Sequence, residues 1–200
     1  MKHTLAILTF AATIAFATAQ EKVSPEETQK IGQKLLDTTG QIENAPVKIT
    51  PHLDKADAVK AGDAGALVIP DKELTAALLA KAGKELVPVG QLYCKGITYS
   101  VNGKVIAPDK LREVKISDKD QTHHVPLCLL AARRHDGKLE LVVFGKDKSP
   151  VATLALKESS ASQDLPIELT VEKEGEESGR MKISLFGKHE ASLIVTRKAE

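Results

Sequence analysis

The strongest constraint on the fold is a period-two alternation of apolar and polar residues in the last third of the chain. One alternating run covers residues 139–143, and two more cover 167–171 and 181–185. Because successive side chains of a strand point to opposite faces, each run predicts a strand with one buried and one solvated face. Turn signals separate such runs, and the clearest is Asn102-Gly103, which favours a tight hairpin.

A repeat within this region indicates how the strands are grouped. Residues 137–146 align without gaps on residues 179–188, and both copies end in Phe-Gly-Lys. Each copy would be the middle strand of a three-stranded meander, over residues 125–157 and 166–196. Independent reuse of glycine and lysine at turns would give the same identities. We predict an antiparallel β domain over residues 87–200, a sandwich if the meanders pack face to face or a barrel if they join at their edges.

The preceding residues predict a helix and a small α/β segment. Ser24, with proline directly after it, and Gly40 are typical helix start and stop signals, within an N-terminal helix and linker over residues 20–45. Residues 46–86 have a strand, helix, strand pattern, with Asp71 as the predicted helix cap. The predicted fold class is therefore α+β, mainly β.

The first 19 residues predict a secretory signal peptide. Lys2 gives a positive end, Leu5 to Phe16 form an apolar run, and Ala17-Thr18-Ala19 is a small-residue cleavage site before Gln20. The apolar run is shorter than the roughly 20 residues that span a bilayer. We therefore expect an exported protein, periplasmic or secreted, with no transmembrane segment once the signal is removed. A buried N-terminal helix is the alternative.

Charge and aromatic content narrow the classes of partner. Removal of residues 1–19 takes away Lys2 and leaves 27 basic and 27 acidic residues. Nucleic acid is not expected as a partner, because its phosphate backbone needs clustered positive charge. Four aromatic residues then remain, which makes a stacking platform for sugars or bases difficult to build. The expected partner is a protein or a small-molecule ligand of unknown identity.

Two cysteines lie in the mature part of the chain, Cys94 and Cys128. An even number of thiols in an exported protein favours a disulfide, so we predict that the two residues are paired. The alternative is a pair of buried free thiols.

His123 and His124 are the candidate metal ligands, because imidazole is the commonest ligand of transition metals in proteins. Cys128 and His135 lie nearby in the sequence. Adjacent residues of a strand point to opposite faces, so at most one histidine of the pair would join a given site unless both lie in a loop. A solvated polar loop is the alternative interpretation.

The chain carries none of the common signatures for nucleotide binding, zinc-protease, serine-hydrolase or dithiol chemistry, and no cofactor is expected. We therefore expect an exported binding or structural β-rich module that is not an enzyme, with its ligand surface in loops such as residues 117–124. Two alternatives stay open. One is a hydrolase or transferase with a dispersed active site, and the other is a metal-binding protein that uses His123 or His124.

Overall fold

The computed structural model describes residues 20–118 and 121–197, so the predicted signal peptide lies outside the described residues. The helices are α1 (Pro25–Thr39) and α2 (Ala76–Ala80), and the strands in chain order are β1 (Glu21–Lys22), β2 (Asp57–Ala61), β3 (Ala64–Pro70), β4 (Val87–Lys95), β5 (Ile97–Val101), β6 (Lys104–Val105), β7 (Arg112–Asp118), β8 (Gln121–His135), β9 (Lys138–Phe144), β10 (Pro150–Ala155), β11 (Lys157–Glu158), β12 (Ile167–Lys173), β13 (Ser178–Leu185) and β14 (His189–Arg197). Neither helix is long and apolar enough to cross a membrane.

The strands form two antiparallel sheets. The first has the order β1-β2-β3-β4-β8-β9-β10, with β7 also paired to β8, and the second has the order β12-β13-β14-β5-β6, with β11 paired to β14. Within the described ranges neither sheet closes into a barrel. The predicted α+β, mainly β class is therefore confirmed in its sandwich form.

The main core lies between the two sheets and follows the alternation that predicted the strands. The first sheet contributes Leu139, Leu141 and Val143 of β9, and the second contributes the repeat-equivalent residues Met181, Ile183 and Leu185 of β13. Strands β8, β9 and β10 pair in succession in the first sheet, as β12, β13 and β14 do in the second. The aligned segments thus occupy equivalent places in two meanders of opposite sheets, and their common origin stays a prediction.

The predicted hairpin turn and the predicted start and stop of the N-terminal helix are found in the structure. Asn102 and Gly103 have positive φ angles of 51° and 75°, and they join β5 to β6. Ser24 accepts a hydrogen bond from the backbone N–H of Glu27 at 3.3 Å, and Gly40 ends α1 with a φ of 59°. These positions were predictable because each depends only on neighbouring residues.

The predicted order of strand, helix and strand is present as β3, α2 and β4, with β2 as an additional strand before them. Strand β2 pairs with β3, and β3 pairs with β4. The predicted segment boundary at residue 86 therefore falls within a single sheet. The cap of α2 is Thr75, which accepts from the N–H of Leu78. Asp71 was the wrong cap because its carboxylate accepts instead from the N–H groups of Thr50 and Glu73.

The first sheet is covered on both faces. On the face away from the second sheet, Leu35 of α1 packs in a cluster with Ile69, Tyr93 and Leu127. The segment after α1 adds Val47, which packs with residues of β8 and β9 in a further cluster. The fold is therefore a sandwich with an additional helical layer, and α1 lies against the first sheet.

The N-terminal residues close one edge of the sandwich. Asp57 Oδ2 accepts a hydrogen bond from the N–H of Leu169 at 2.7 Å and lies 2.6 Å from Lys22 Nζ. Gln20 Oε1 accepts from the N–H of Val171. Side chains of the first sheet therefore satisfy outward backbone donors of edge strand β12, which would otherwise be open to pairing with another chain.

Candidate functional site

The two candidate metal ligands lie on the hairpin formed by β7 and β8. His123 pairs with Ile116, which packs against the cluster under α1, and His124 pairs with Lys115. His124 is exposed, and its Nδ1 lies 2.8 Å from Glu113 Oε2. The two imidazoles therefore point to opposite faces, as strand geometry predicts.

The other residues that the sequence placed near the histidines are distant or enclosed. His135 ends the same strand, 12 residues from His123, a separation of about 40 Å at roughly 3.3 Å per residue. Cys128 is buried between the sheets. Among the residues that the structure describes, no group of three His, Cys, Asp or Glu side chains could hold a metal ion. The metal site stays a prediction.

Cys94 and Cys128 are buried free thiols in this structure. Cys94 belongs to β4, and Cys128 of β8 pairs directly with Leu92, which makes the two cysteines diagonal neighbours. Diagonal neighbours lie about 7–8 Å apart, with their Cβ atoms somewhat closer, whereas a disulfide needs a Cβ separation of about 3.5–4.5 Å. A bond between them would therefore require the strands to move.

The thiols are enclosed together with a tyrosine. The hydroxyl of Tyr99, from the second sheet, faces both sulfur atoms. Burial raises the pKa of Cys128 to about 12, and it raises the pKa values of Cys94 and Tyr99 well above their ordinary ranges. The space beside Tyr99 and Cys128 is about 10 Å³, too small for a ligand. This cluster is neutral and sealed from solvent.

An open groove lies on the opposite face of the first sheet, between the end of α1 and β7. Thr38, Thr39 and residues 41–43 form one wall of this α1–β7 groove, and residues 112–115 with Leu127 form the other. Its volume is about 480 Å³, within the range of small-ligand sites. The groove exists because Gly40 ends the helix and the chain then runs past the edge of β7.

The outer edge of β7 offers backbone groups to this groove. Pro126 of β8 has no N–H, and it pairs with Glu113, so that pair cannot be a hydrogen-bonded one. Because hydrogen-bonded and non-bonded pairs alternate along an antiparallel ladder, Lys115 and Ser117 also direct their N–H and C=O groups away from β8. Among the described residues, β8 is the strand paired with β7, and no strand pairs with the outer edge of β7.

The groove is lined by charged residues of both signs. Arg112 donates from Nη2 to the carbonyl of Lys146 at 2.9 Å, and its Nε is buried without an acceptor among the described residues. Lys115 is exposed, and its side chain lies on the same face of β7 as Glu113, opposite the face that packs under α1. Glu43 stands on the facing wall. Glu113 lies on the β7 wall as well, so the groove lining carries two basic and two acidic side chains.

A hydrogen-bonded chain fixes the helix end of the groove. The hydroxyls of Thr39 and Tyr93 lie 3.2 Å apart, and Tyr93 donates to Gln91 Oε1 at 2.8 Å. Burial raises the pKa of Tyr93 to about 12, so it stays a neutral donor at ordinary pH. Thr39 is thereby tied to the first sheet, and the groove wall is held in place.

The sequence-based interpretation did not identify this groove. It placed the ligand surface in a loop over residues 117–124, but the described residues of that range belong to β7 and β8 and do not line the groove. The alternation of Val114 and Ile116 with the charged or polar residues 113, 115 and 117 indicates a strand. Its meeting with the end of α1, about 70 residues earlier in the chain, depends on sheet order, which local patterns do not encode.

Comparison with protein-family models, with curated proteins and with solved structures gave no match for this chain.

Proposed function

We propose that this protein is an exported, non-enzymatic binding module whose ligand surface is the α1–β7 groove. The observation that carries the proposal is the groove itself, because an open cavity of about 480 Å³ combines the unpaired outer edge of β7 with charged residues of both signs. Such a combination of shape and a few convergent polar groups is typical of ligand sites.

The export part of the proposal draws on the start of the mature chain. The predicted cleavage bond, between Ala19 and Gln20, lies directly before residues that close the sandwich edge through Gln20 and Lys22. Cleavage there would leave every residue of that edge contact in the mature protein. The location would be the periplasm or the medium, as the signal features predict.

The distribution of perturbed groups favours binding over catalysis. The largest pKa shifts belong to Cys94, Tyr99 and Cys128, which are enclosed between the sheets. Perturbed groups in a cleft would indicate acid–base or nucleophilic chemistry, but a substrate cannot reach these without opening the sandwich. The residues of the groove instead provide charged side chains and main-chain hydrogen-bonding groups.

Two measurements on the exported, purified protein test the proposal. Amide chemical shifts recorded during titration with a mixture of short peptides and with small carboxylic acids should change at Thr38, Gln41 and Lys115. A broad hydrolase screen should show no turnover. Turnover that is lost on His123→Ala or His124→Ala would contradict the proposal, and so would shift changes confined to another surface.

A further inference from the structure

We propose that the mature protein forms a symmetric dimer, in which the outer edge of β7 pairs antiparallel with the same edge of a second copy. The inference rests on the proposed function, because this edge belongs to the wall of the α1–β7 groove, and it goes further by naming the partner. A two-fold dimer uses one patch of surface twice, so the patch must complement itself.

The edge of β7 is not covered in the way that the edge of β12 is. At β12, Asp57 and Gln20 accept hydrogen bonds from outward N–H groups. At β7, Lys115 and Ser117 direct their N–H and C=O groups away from β8, and among the described residues no backbone hydrogen bond beyond the strand ladders involves either residue. Such a strand edge is a template for pairing with another chain.

The backbone restricts the registers in which two copies of β7 can pair. Glu113 and Lys115 direct their main-chain groups outward, whereas Val114 directs its own towards β8. A two-fold axis beside Val114 places Glu113 of each copy opposite Lys115 of the other. Both pairs join residues whose N–H and C=O groups face the partner, so each pair exchanges two main-chain hydrogen bonds.

The side chains favour the same register. Glu113 and Lys115 are exposed on the face of β7 that is turned away from α1, so both cross-strand pairs combine opposite charges. An axis beside Glu113 or Lys115 would instead place like charges directly opposite each other, which is destabilising. On the apolar face, Val114 of one copy meets Val114 of the other as a pair of β-branched residues.

A second copy fits this edge better than an acidic peptide does, because β7 is its own charge complement. A strand that matches both Glu113 and Lys115 needs a glutamate followed two residues later by a lysine, and residues 113–115 supply that sequence in every molecule. An acidic peptide matches Lys115 only. The contact of Glu113 with His124, at 2.8 Å, is compatible with the dimer, since a carboxylate accepts in several directions.

Contacts at the start of β7 limit the length of the shared ladder. Lys146 donates its N–H to the carbonyl of Lys110 and accepts from Arg112, so residues close to this end already have partners. The ladder is therefore centred on residues 113–115. Interfaces of such small area are typical of weak and reversible complexes, so the dimer should dissociate on dilution.

Self-association of the mature protein tests the inference. Sedimentation velocity over a concentration series should show a mass that rises from one chain towards two. In the ¹⁵N-labelled protein, the amide shifts of Glu113 and Lys115 should change with concentration, and exchange of these N–H groups with solvent should slow. Added salt should weaken the dimer, because the paired side chains are exposed.

Charge variants separate this register from other modes of association. Glu113→Lys and Lys115→Glu each place like charges opposite each other twice, so each variant alone should dimerise about tenfold or more weakly. Mixed in equal amounts, the two variants should form a mixed dimer, since every cross-strand pair then joins a lysine to a glutamate. The double variant should dimerise as the unaltered protein does. Lys104→Glu, on the exposed β5–β6 hairpin, should have no effect.

Three outcomes would overturn the inference. They are a single chain at every concentration, a dimer that neither charge variant weakens, and no mixed dimer when the two variants are combined. A single chain whose groove amides still shift on addition of short peptides or carboxylic acids would leave the proposed function standing. Concentration-dependent shifts confined to another surface, with no groove shift on addition of those probes, would defeat both proposals.

Discussion

At the scale of single residues, burial determines the chemistry of Cys94 and Cys128. We expect two free thiols in the exported protein purified without reductant, because their diagonal placement in the sheet is too wide for a disulfide. Both should resist a thiol-specific reagent in the folded protein, since a thiol with a pKa of about 12, as for Cys128, holds almost no thiolate at neutral pH.

The reagent should count two thiols once the protein is denatured in urea. A count of zero in urea would show that the two cysteines form the disulfide that the sequence predicts. Cys94→Ser and Cys128→Ser variants, counted in the same way, would show whether each thiol contributes one reaction.

His189 gives a residue-scale prediction on pH. Burial lowers its pKa below the ordinary value of about 6.5, and Arg134 and Lys188 act in the same direction against the opposing effect of Glu158. The unfolded chain therefore binds the proton more readily, so this group destabilises the fold as pH falls through its ordinary range. The free energy of unfolding should fall less steeply between pH 7 and pH 5 in His189→Gln than in the unaltered protein.

Chemical denaturation at a series of pH values measures that slope, and a carbon-bound proton of the ring reports the pKa directly in an NMR titration. An identical slope in the two proteins would show that His189 is not perturbed. The effect is expected to be small because the side chain is partly exposed.

At the scale of elements, the closure of the β12 edge depends on Asp57. Asp57→Ala removes the acceptor of the Leu169 N–H and leaves Lys22 without its ion-pair partner. An unsatisfied buried donor costs about 1–3 kcal/mol, so the free energy of unfolding should fall by about that amount. Asp57→Asn keeps a carbonyl acceptor and should cost less.

Urea denaturation of the two variants, with Asp63→Ala as a control in the exposed turn between β2 and β3, measures these differences. Equal stability of Asp57→Ala and the control would mean that water replaces the carboxylate at the edge. If hydrogen exchange at the Leu169 N–H is faster in Asp57→Ala but not in Asp63→Ala, the loss of stability is due to this contact.

The elements also show which parts of the fold local patterns encode. The cap at Ser24 and the hairpin at Asn102-Gly103 were predictable because neighbouring residues fix the backbone there. The α2 cap was not, because Asp71 bonds to Thr50, a residue in another segment. For the candidate site, the opposite orientation of His123 and His124 followed from strand geometry, while the groove required the contact of α1 with β7.

At the scale of the whole molecule, the sandwich joins its two sheets through residues that follow the predicted cleavage site. Gln20 accepts from Val171 of β12, and Lys22 pairs with Asp57, whose carboxylate accepts from Leu169 of β12. The first residues of the mature chain therefore lie where the first sheet meets the edge of the second. We therefore expect the exported protein to begin at Gln20, which intact-mass measurement and N-terminal sequencing can establish. A start beyond Lys22 would contradict this expectation.

A shortened protein that begins at Val23 tests the same connection. The N–H of Val171 loses its acceptor, whereas the N–H of Leu169 keeps Asp57, so hydrogen exchange should accelerate at Val171 and much less at Leu169. Amides at the centre of β9, in the middle of the first sheet, should keep their exchange rates if the rest of the sandwich stays folded. Uniform acceleration would instead mean that residues 20–22 stabilise the molecule as a whole, because local opening and global unfolding then have the same free energy.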